Sequence, residues 1–315
     1  MKKRAFLKTA AKASIMSGVA LSLPSTLSWA GNNKPKLFFE ISLAQWSLHR
    51  TIQKGELDNL DFAMTAKKKF GISAIEYVNQ FFMDKATDKK YLNEMKSRAV
   101  DHNVKRMLIM IDDEGDLGDL NTGIRKTSVE NHYKWVEAAN HLGCHSIRIN
   151  AFGNGSKADV GSAMVDSLGM LSDFAKPYNI NVLIENHGLY SSDAKWVANI
   201  MKLVDRDNCG TLPDFGNFCL SKKWGSTQNN NCEEAYDRYM GVEEMMPFAI
   251  GVSAKSYAFS DTGNETLIDY GKMLKVVKDA GFTGHIGIEF EGNYDEAKGI
   301  MDTKNLLLTE GEKLS

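Results

Sequence analysis

The chain of 315 residues is short of several things that would mark other kinds of protein. It has only five prolines and no Gly/Ser-rich or low-complexity run, so nothing reads as an interdomain linker. Its four cysteines (Cys144, Cys209, Cys219, Cys232) form no C-x-x-C pair, which excludes the common thiolate metal sites. Beyond residues 1–30 no apolar run is long enough to span a bilayer. No Gly-rich phosphate loop follows the first strand-like segment, which runs into "AQWSLHR". An excess of basic charge is also missing. Residues 1–30 hold five of the 38 Lys and Arg and none of the 40 Asp and Glu, so the remainder carries 33 basic against 40 acidic residues. A net charge of the wrong sign disfavours a nucleic-acid partner.

What is present begins with a leader. Residues 1–30 have a basic start, a short apolar middle interrupted by Lys12, and Ser28-Trp29-Ala30 before Gly31. That pattern is expected to be an export signal peptide, with "KRAFLK" similar to a twin-arginine signal. An uncleaved anchor is the alternative. The expected mature domain is 31–315, periplasmic, with no stable membrane insertion after cleavage. In such an oxidising compartment Cys219 and Cys232, which flank "CLSKKWGSTQNNNC", could pair or remain two unrelated thiols. Cys144 and Cys209 read as buried thiols at strand starts.

Eight strand-like runs alternate with helical segments: 37–44, 74–78, 104–111, 145–151, 180–186, 209–215, 249–256 and 285–292. Periodicity predicts a helix over 131–143 with Tyr133, Val136 and Ala139 or Asn140 near one face. It predicts another over 265–281, with Leu267, Tyr270, Leu274 and Val277 on one stripe. Gly71, Gly143 and Gly281 are helix stops. Near-continuous apolar strands separated by helices imply a covered parallel sheet. Eight units in this length predict a single-domain α/β fold, a (β/α)₈ or TIM barrel. The absent phosphate loop counts against a doubly wound open sheet.

Residues two apart in a strand share a face. The strand ends then offer Arg148 with Asn150, Glu185 with His187, Asp214, Ser253 with Lys255, and Glu289 with Glu291. Barrel sites sit at the C-terminal ends of the strands, so these groups are expected to converge there. Glu185, Asp214 and Glu289 repel one another unless a cation joins them. All-oxygen ligation points to Mn²⁺ or Mg²⁺ rather than Zn²⁺. A salt-bridge network through Lys255 and Arg148 is the competing explanation. Among the histidines, His49 and His187 follow strand ends and could reach substrate. His145 and His285 begin strands and read as structural, while His102, His132 and His141 read as surface or packing residues. The acidic stretch 112–119 lacks calcium-loop spacing and reads as a solvated loop at the mouth, with Asp112 facing the pocket. Trp46, Phe82 and Trp224 are candidates for an apolar sugar-stacking wall or for core packing.

"ISLAQWSL", "VLIENHG", "GTLPDFGNF", "GVSAKSYAF" and "IGIEFEG", in this order, resemble the sugar phosphate isomerase/epimerase group with the xylose-isomerase-like barrel. The resemblance covers most of the mature chain. It implies a divalent metal held by Glu185, Asp214 and Glu289. Its fourth ligand is a His in a His-x-Lys motif, which here reads Ser253-Ala254-Lys255. The departure leaves the fourth position to water, substrate or His187. The resemblance also implies proton abstraction beside a sugar carbonyl, with Glu185 and Glu289 moving the proton and His187 and Lys255 assisting. His49, Arg148, Asn150, Asn217, Glu291 and Trp224 are the expected substrate contacts. Export makes a phosphorylated substrate improbable, so the expected partner is a non-phosphorylated keto-sugar. A lyase that eliminates the C1 group of 3-keto-glycosides, or a non-catalytic sugar-binding barrel, are the alternatives. An abasic-site endonuclease, which shares the barrel, is disfavoured by the scattered histidines and the charge. A homo-oligomer is left open.

Overall fold

The computed structural model describes residues 36–228 and 231–315. The expected export signal at 1–30 lies outside the described residues. Eight parallel strands form one sheet: β1 (Glu40–Ala44), β2 (Ala74–Val78), β3 (Lys105–Met110), β4 (Ser146–Ile149), β5 (Asn181–Glu185), β6 (Cys209–Leu212), β7 (Val252–Ser256) and β8 (His285–Phe290). Their order is β6-β5-β4-β3-β2-β1-β8-β7. β6 and β7 share no continuous ladder. Two isolated parallel bridges, Thr211 to Ala249 and Asp214 to Ser253, join them and close the barrel. Helices follow the strands, so the chain is a TIM barrel as its pattern predicts.

The strands form because their β-branched and apolar residues are covered on both faces. One set packs outward against the helices in the large core, including Ile75, Ile109, Ile147, Val182 and Ile288. The alternate set points into the barrel. Its apolar members are Ala44, Val78, Leu108, Met110, Leu183 and Leu212. On the same period-two positions lie Ser42, Glu76, Arg148, Glu185, Ser253, Lys255 and Glu289, all buried. The barrel interior thus passes from an apolar filling to a charged mouth.

Several boundaries differ from the periodicity. The strand expected over 209–215 ends at Leu212, and Asp214 stands beyond it on the closing bridge. The helix expected over 131–143 starts at Thr122, where the Asn121 side chain accepts from the amides of Gly123 and Ile124. Such a cap is worth about 1 kcal/mol. Its buried stripe is His132, Trp135, Val136 and Ala139, while Tyr133 is half-buried and stacks on Phe174. The helix expected over 265–281 is Tyr270–Asp279, capped by Asp269. The Glu265 carboxylate accepts from the Leu267 and Ile268 amides, holding that stretch as a turn and leaving Leu267 48% exposed. Cys209 is half-buried rather than buried. Cys219 and Cys232 form a disulfide. Among the described residues no helix is long and apolar enough to cross a membrane.

Candidate active site

The C-terminal ends of the strands surround a cavity of about 400 Å³ lined by Trp46, Val78, Gln80, Asp112, Arg148, His187, Trp224, Glu289 and Glu291. Glu185, Asp214 and Lys255 lie one layer behind this lining, fully buried and in contact with it.

Two cations organise the carboxylates. Arg148 donates from Nη1 to Asp112 Oδ1 at 2.7 Å, and its Nε lies 2.7 Å from Glu185 Oε2. Lys255 donates to Glu289 Oε1 at 2.9 Å and to Glu291 Oε2 at 3.2 Å. The salt-bridge network expected from the sequence is therefore present. It does not balance the charge. Among the described residues, the five carboxylates Asp112, Glu185, Asp214, Glu289 and Glu291 gather around the two cations Arg148 and Lys255.

The imbalance shows in the protonation of the acids. Burial pushes the Glu185 carboxyl well above its usual range, with Glu289 and Asp214 adding to the push and Arg148 opposing it. Burial also raises Asp214 to about 7, against the pull of Lys255 and the hydrogen bond from Ser253. Burial acts the same way on Glu289, but the adjacent Lys255 and Ser253 outweigh it and hold its pKa below the ordinary value. Asp112 is likewise held low, with the Arg148 charge and the hydrogen bonds from Arg148 and Asn150 overcoming burial.

Glu185, Asp214 and Glu289 each offer an oxygen, and these oxygens lie within 4.8 Å of one another. Glu185 Oε1 is buried with no hydrogen-bond partner. A buried acceptor without a donor costs about 1–3 kcal/mol. A divalent cation would satisfy that oxygen and offset the excess negative charge, so the residues present fit such an ion. Ser253, where the resemblance calls for a histidine, instead touches Asp214 Oδ2 at 2.6 Å and Glu289 Oε2 at 2.8 Å.

His187 is held in one tautomer. The Asn150 amide donates from Nδ2 to Asp112 Oδ1 at 2.7 Å, which turns its Oδ1 toward His187 Nδ1, also at 2.7 Å. Nδ1 must therefore carry the hydrogen, leaving Nε2 with a lone pair. Burial first and Arg148 second push the His187 pKa down to about 3, so the ring stays neutral.

The remaining expected contacts separate by position. Arg148, Glu291, Trp224 and His187 line the cavity, as do Trp46 and Asp112. Trp46 also donates to Glu291 at 3.1 Å. His49 stands behind Trp46, stacked on it at 4.6 Å and bonded to its carbonyl, and is not among the lining residues. Asn150 and Asn217 are also absent from that lining. Asn217 is buried below it, its amide bonded to Asp214 Oδ1 and its side chain without a partner among the described residues. Phe82 is a correction: it is buried in the core against Tyr77 and Trp135. Phe81 faces Trp46 instead. Phe82 has φ −151°, ψ 39° inside a helical turn, and that break sends the two neighbouring rings to opposite sides.

Three residues escaped the sequence reading. Gln80 lines the cavity and donates to Asp112 and Asp113. Asn186 accepts from the Asp214 amide and donates to its carbonyl, fixing the strand-six end against strand five. Glu76 lies inside the barrel, accepting from Ser42 at 2.6 Å. It occupies the space beside Gly287, where a Cβ would fall 2.6 Å from its carboxylate oxygens. Period two would have flagged Glu76, but it sits mid-strand rather than at a strand end.

A family described as the xylose isomerase-like TIM barrel matches residues 65–309. The chain belongs to that family. This xylose isomerase-like barrel is similar in structure to a D-tagatose 3-epimerase-like protein, with a TM-score of 0.63 at 20% identity over 88% of this chain and 100% of the other. It is also similar to a xylose isomerase-like TIM barrel protein from Mycobacterium smegmatis solved in complex with magnesium, with a TM-score of 0.63 at 13% identity over 88% and 98% of the two chains. A shorter stretch of 48 residues is 38% identical to the 3'-dehydrocarminate deglycosidase alpha subunit of a Microbacterium species. That match spans 15% of this chain and 14% of the relative's length.

Proposed function

We propose that the protein removes a carbon-bound proton beside the carbonyl of a non-phosphorylated keto-sugar, as a divalent-metal-dependent isomerase or epimerase. The observation that carries this reading is the buried set Glu185, Asp214 and Glu289, gathered within 4.8 Å below a sugar-sized cavity. These three would hold Mn²⁺ or Mg²⁺ in preference to Zn²⁺, since every donor is a carboxylate oxygen. The ion would polarise the substrate carbonyl as a Lewis acid.

The chain's own groups do the rest. Glu289 lines the cavity and moves the proton, with Glu185, one layer behind it, as the second group of the proton-transfer pair. Arg148 faces the cavity and meets negative charge developing on the substrate oxygen. The unshared pair on His187 Nε2 accepts a sugar hydroxyl. Trp46 and Trp224 pack on the apolar C–H faces of the ring. Magnesium in the Mycobacterium smegmatis relative supports the metal, and the epimerase-like neighbour supports the reaction type.

The match to a deglycosidase favours a second reading, β-elimination. In a 3-keto-glycoside the base takes the proton from C2. The electron pair forms the C1–C2 double bond, the C1–O bond breaks, and the departing alkoxide takes a proton to leave as an alcohol. The same first step serves both reactions. Export to the periplasm belongs to this reading as well, and the Cys219–Cys232 disulfide supports an oxidising compartment.

Incubation in D₂O with keto-sugars and 3-keto-glycosides tests the proposal. Deuterium should enter the carbon beside the carbonyl. An intact skeleton indicates isomerase or epimerase, and loss of the C1 group indicates lyase. Glu289→Gln should abolish exchange and His187→Ala should weaken it. Binding without any exchange would leave a non-catalytic sugar-binding barrel.

A further inference from the structure

We infer that this site takes a two-part glycoside, with a second cavity next to the first binding an uncharged sugar unit joined to the ring that reacts. The inference rests on the keto-sugar reading above and names its substrate class.

Trp224 lines both cavities. The second measures about 210 Å³, and Asp113, Asp116, His132, Asn150, Phe152 and Lys223 are among its walls. Pockets for whole ligands begin at roughly 300 Å³. A smaller space suits one part of a ligand whose remainder lies next door. The partition is thin. Asn150 lines the second cavity, and its side-chain amide bonds Asp112 and His187 at 2.7 Å each, both of which line the first.

The lining has the makings of a sugar subsite. Phe152 and Trp224 meet edge to face at 5.5 Å, with the Lys223 ammonium 4.6 Å from the Phe152 ring centroid. These rings offer apolar surface to the C–H face of a sugar. His132 is 3% exposed, and its Nδ1 donates to the Ser128 carbonyl at 2.7 Å. Its Nε2 is therefore the acceptor nitrogen of the ring. His132 lines the cavity, where that lone pair can accept from a sugar hydroxyl. Asp113 and Asp116 add acceptors. Glu114 is already engaged by Trp135 and Lys134. With Asp113, Glu114 and Asp116 outnumbering Lys223, the lining disfavours a phosphate or uronate and admits a neutral polyol.

Calorimetric titration of the mature protein tests this, using methyl β-glucoside against cellobiose, sucrose and trehalose. At least one disaccharide should bind about tenfold more tightly than the methyl glucoside. His132→Gln and Asp116→Ala should each remove that advantage and leave methyl glucoside binding unchanged. Asp116 is half-buried in a loop, so its substitution does not threaten the fold. Equal affinity for one and two rings across the panel overturns the inference, as does equal weakening of both by the variants. Because binding of these unoxidised sugars needs no proton transfer, absence of exchange on the keto-sugars would remove the enzymatic reading and leave the subsite standing. Exchange that is as fast on a keto-monosaccharide glycoside as on keto-disaccharides would overturn the two-part substrate and leave the chemistry.

Discussion

The Ser253 hydroxyl stands between two carboxylates, 2.6 Å from Asp214 Oδ2 and 2.8 Å from Glu289 Oε2. One hydroxyl has one hydrogen to give. The second contact needs a proton from the acid side, and Asp214, raised to about 7 mainly by burial, supplies one at neutral pH. Ser253 therefore bridges two groups that would otherwise repel.

Replacing that bridge with a donor ligand should strengthen metal binding. Ser253→His is expected to tighten Mn²⁺ affinity about tenfold or more, since imidazole adds a first-row metal ligand. Glu185→Gln and Asp214→Asn should each lose the ion, as read by elemental analysis. Unchanged metal content in both variants would sink the assignment of the three carboxylates.

Glu76 gives a pH signature separate from the metal. Burial raises its carboxyl from 4.5 to about 7 despite the Ser42 hydrogen bond. The folded state then holds a proton that the unfolded state releases first. Stability contributed by this proton is complete below the unfolded pKa and is lost as pH rises from about 4.5 through about 7. Glu76→Gln should remove that loss. Its gain over the native protein should grow across this window and level off at up to about 3 kcal/mol. Urea unfolding at pH 5 and pH 8 measures it, and an equal effect at both values would refute it.

The disulfide should matter for both stability and binding. It joins residues 13 apart in sequence, and closing a loop of that size is worth about 3 kcal/mol. The same loop carries Trp224 and is packed against Gly188, where a Cβ would fall 2.4 Å from the Lys222 carbonyl and 2.7 Å from the Trp224 amide. Cys219→Ser/Cys232→Ser should lower unfolding stability and raise KM more than it lowers kcat. Reductant should do the same to the native protein and nothing to the double variant.

Much of this was legible in the sequence because period two is strict. Once Glu185, Asp214 and Glu289 were assigned to strand ends, their convergence followed from barrel geometry. Arg148 and Lys255 followed for the same reason. What escaped depends on contacts between distant segments. The acidic loop reads as solvated, yet Glu114 is buried because Trp135 and Lys134, one helix away, engage it. His132 reads as packing until the loop 112–116 folds over it and leaves a cavity. Phe81 and Phe82 are adjacent and alike, so only the local backbone decides which ring faces Trp46. Leu267 fits a helical stripe, but the Glu265 side chain claims the amides that a helix would need.

The barrel closes where its ladder is poorest. Between β6 and β7 the seam depends on isolated bridges, with Ser253 donating its amide to the Pro213 carbonyl and the Phe215 amide donating to Ser253. Asp214 and Ser253 lie on that seam, and Glu289 and Glu185 reach it from the strands on either side. An ion gripped there would act as a rivet. The amides of Phe215 and Ser253 should exchange with solvent more slowly once it is loaded, and the proposed metal site would then also be the clasp of the barrel wall.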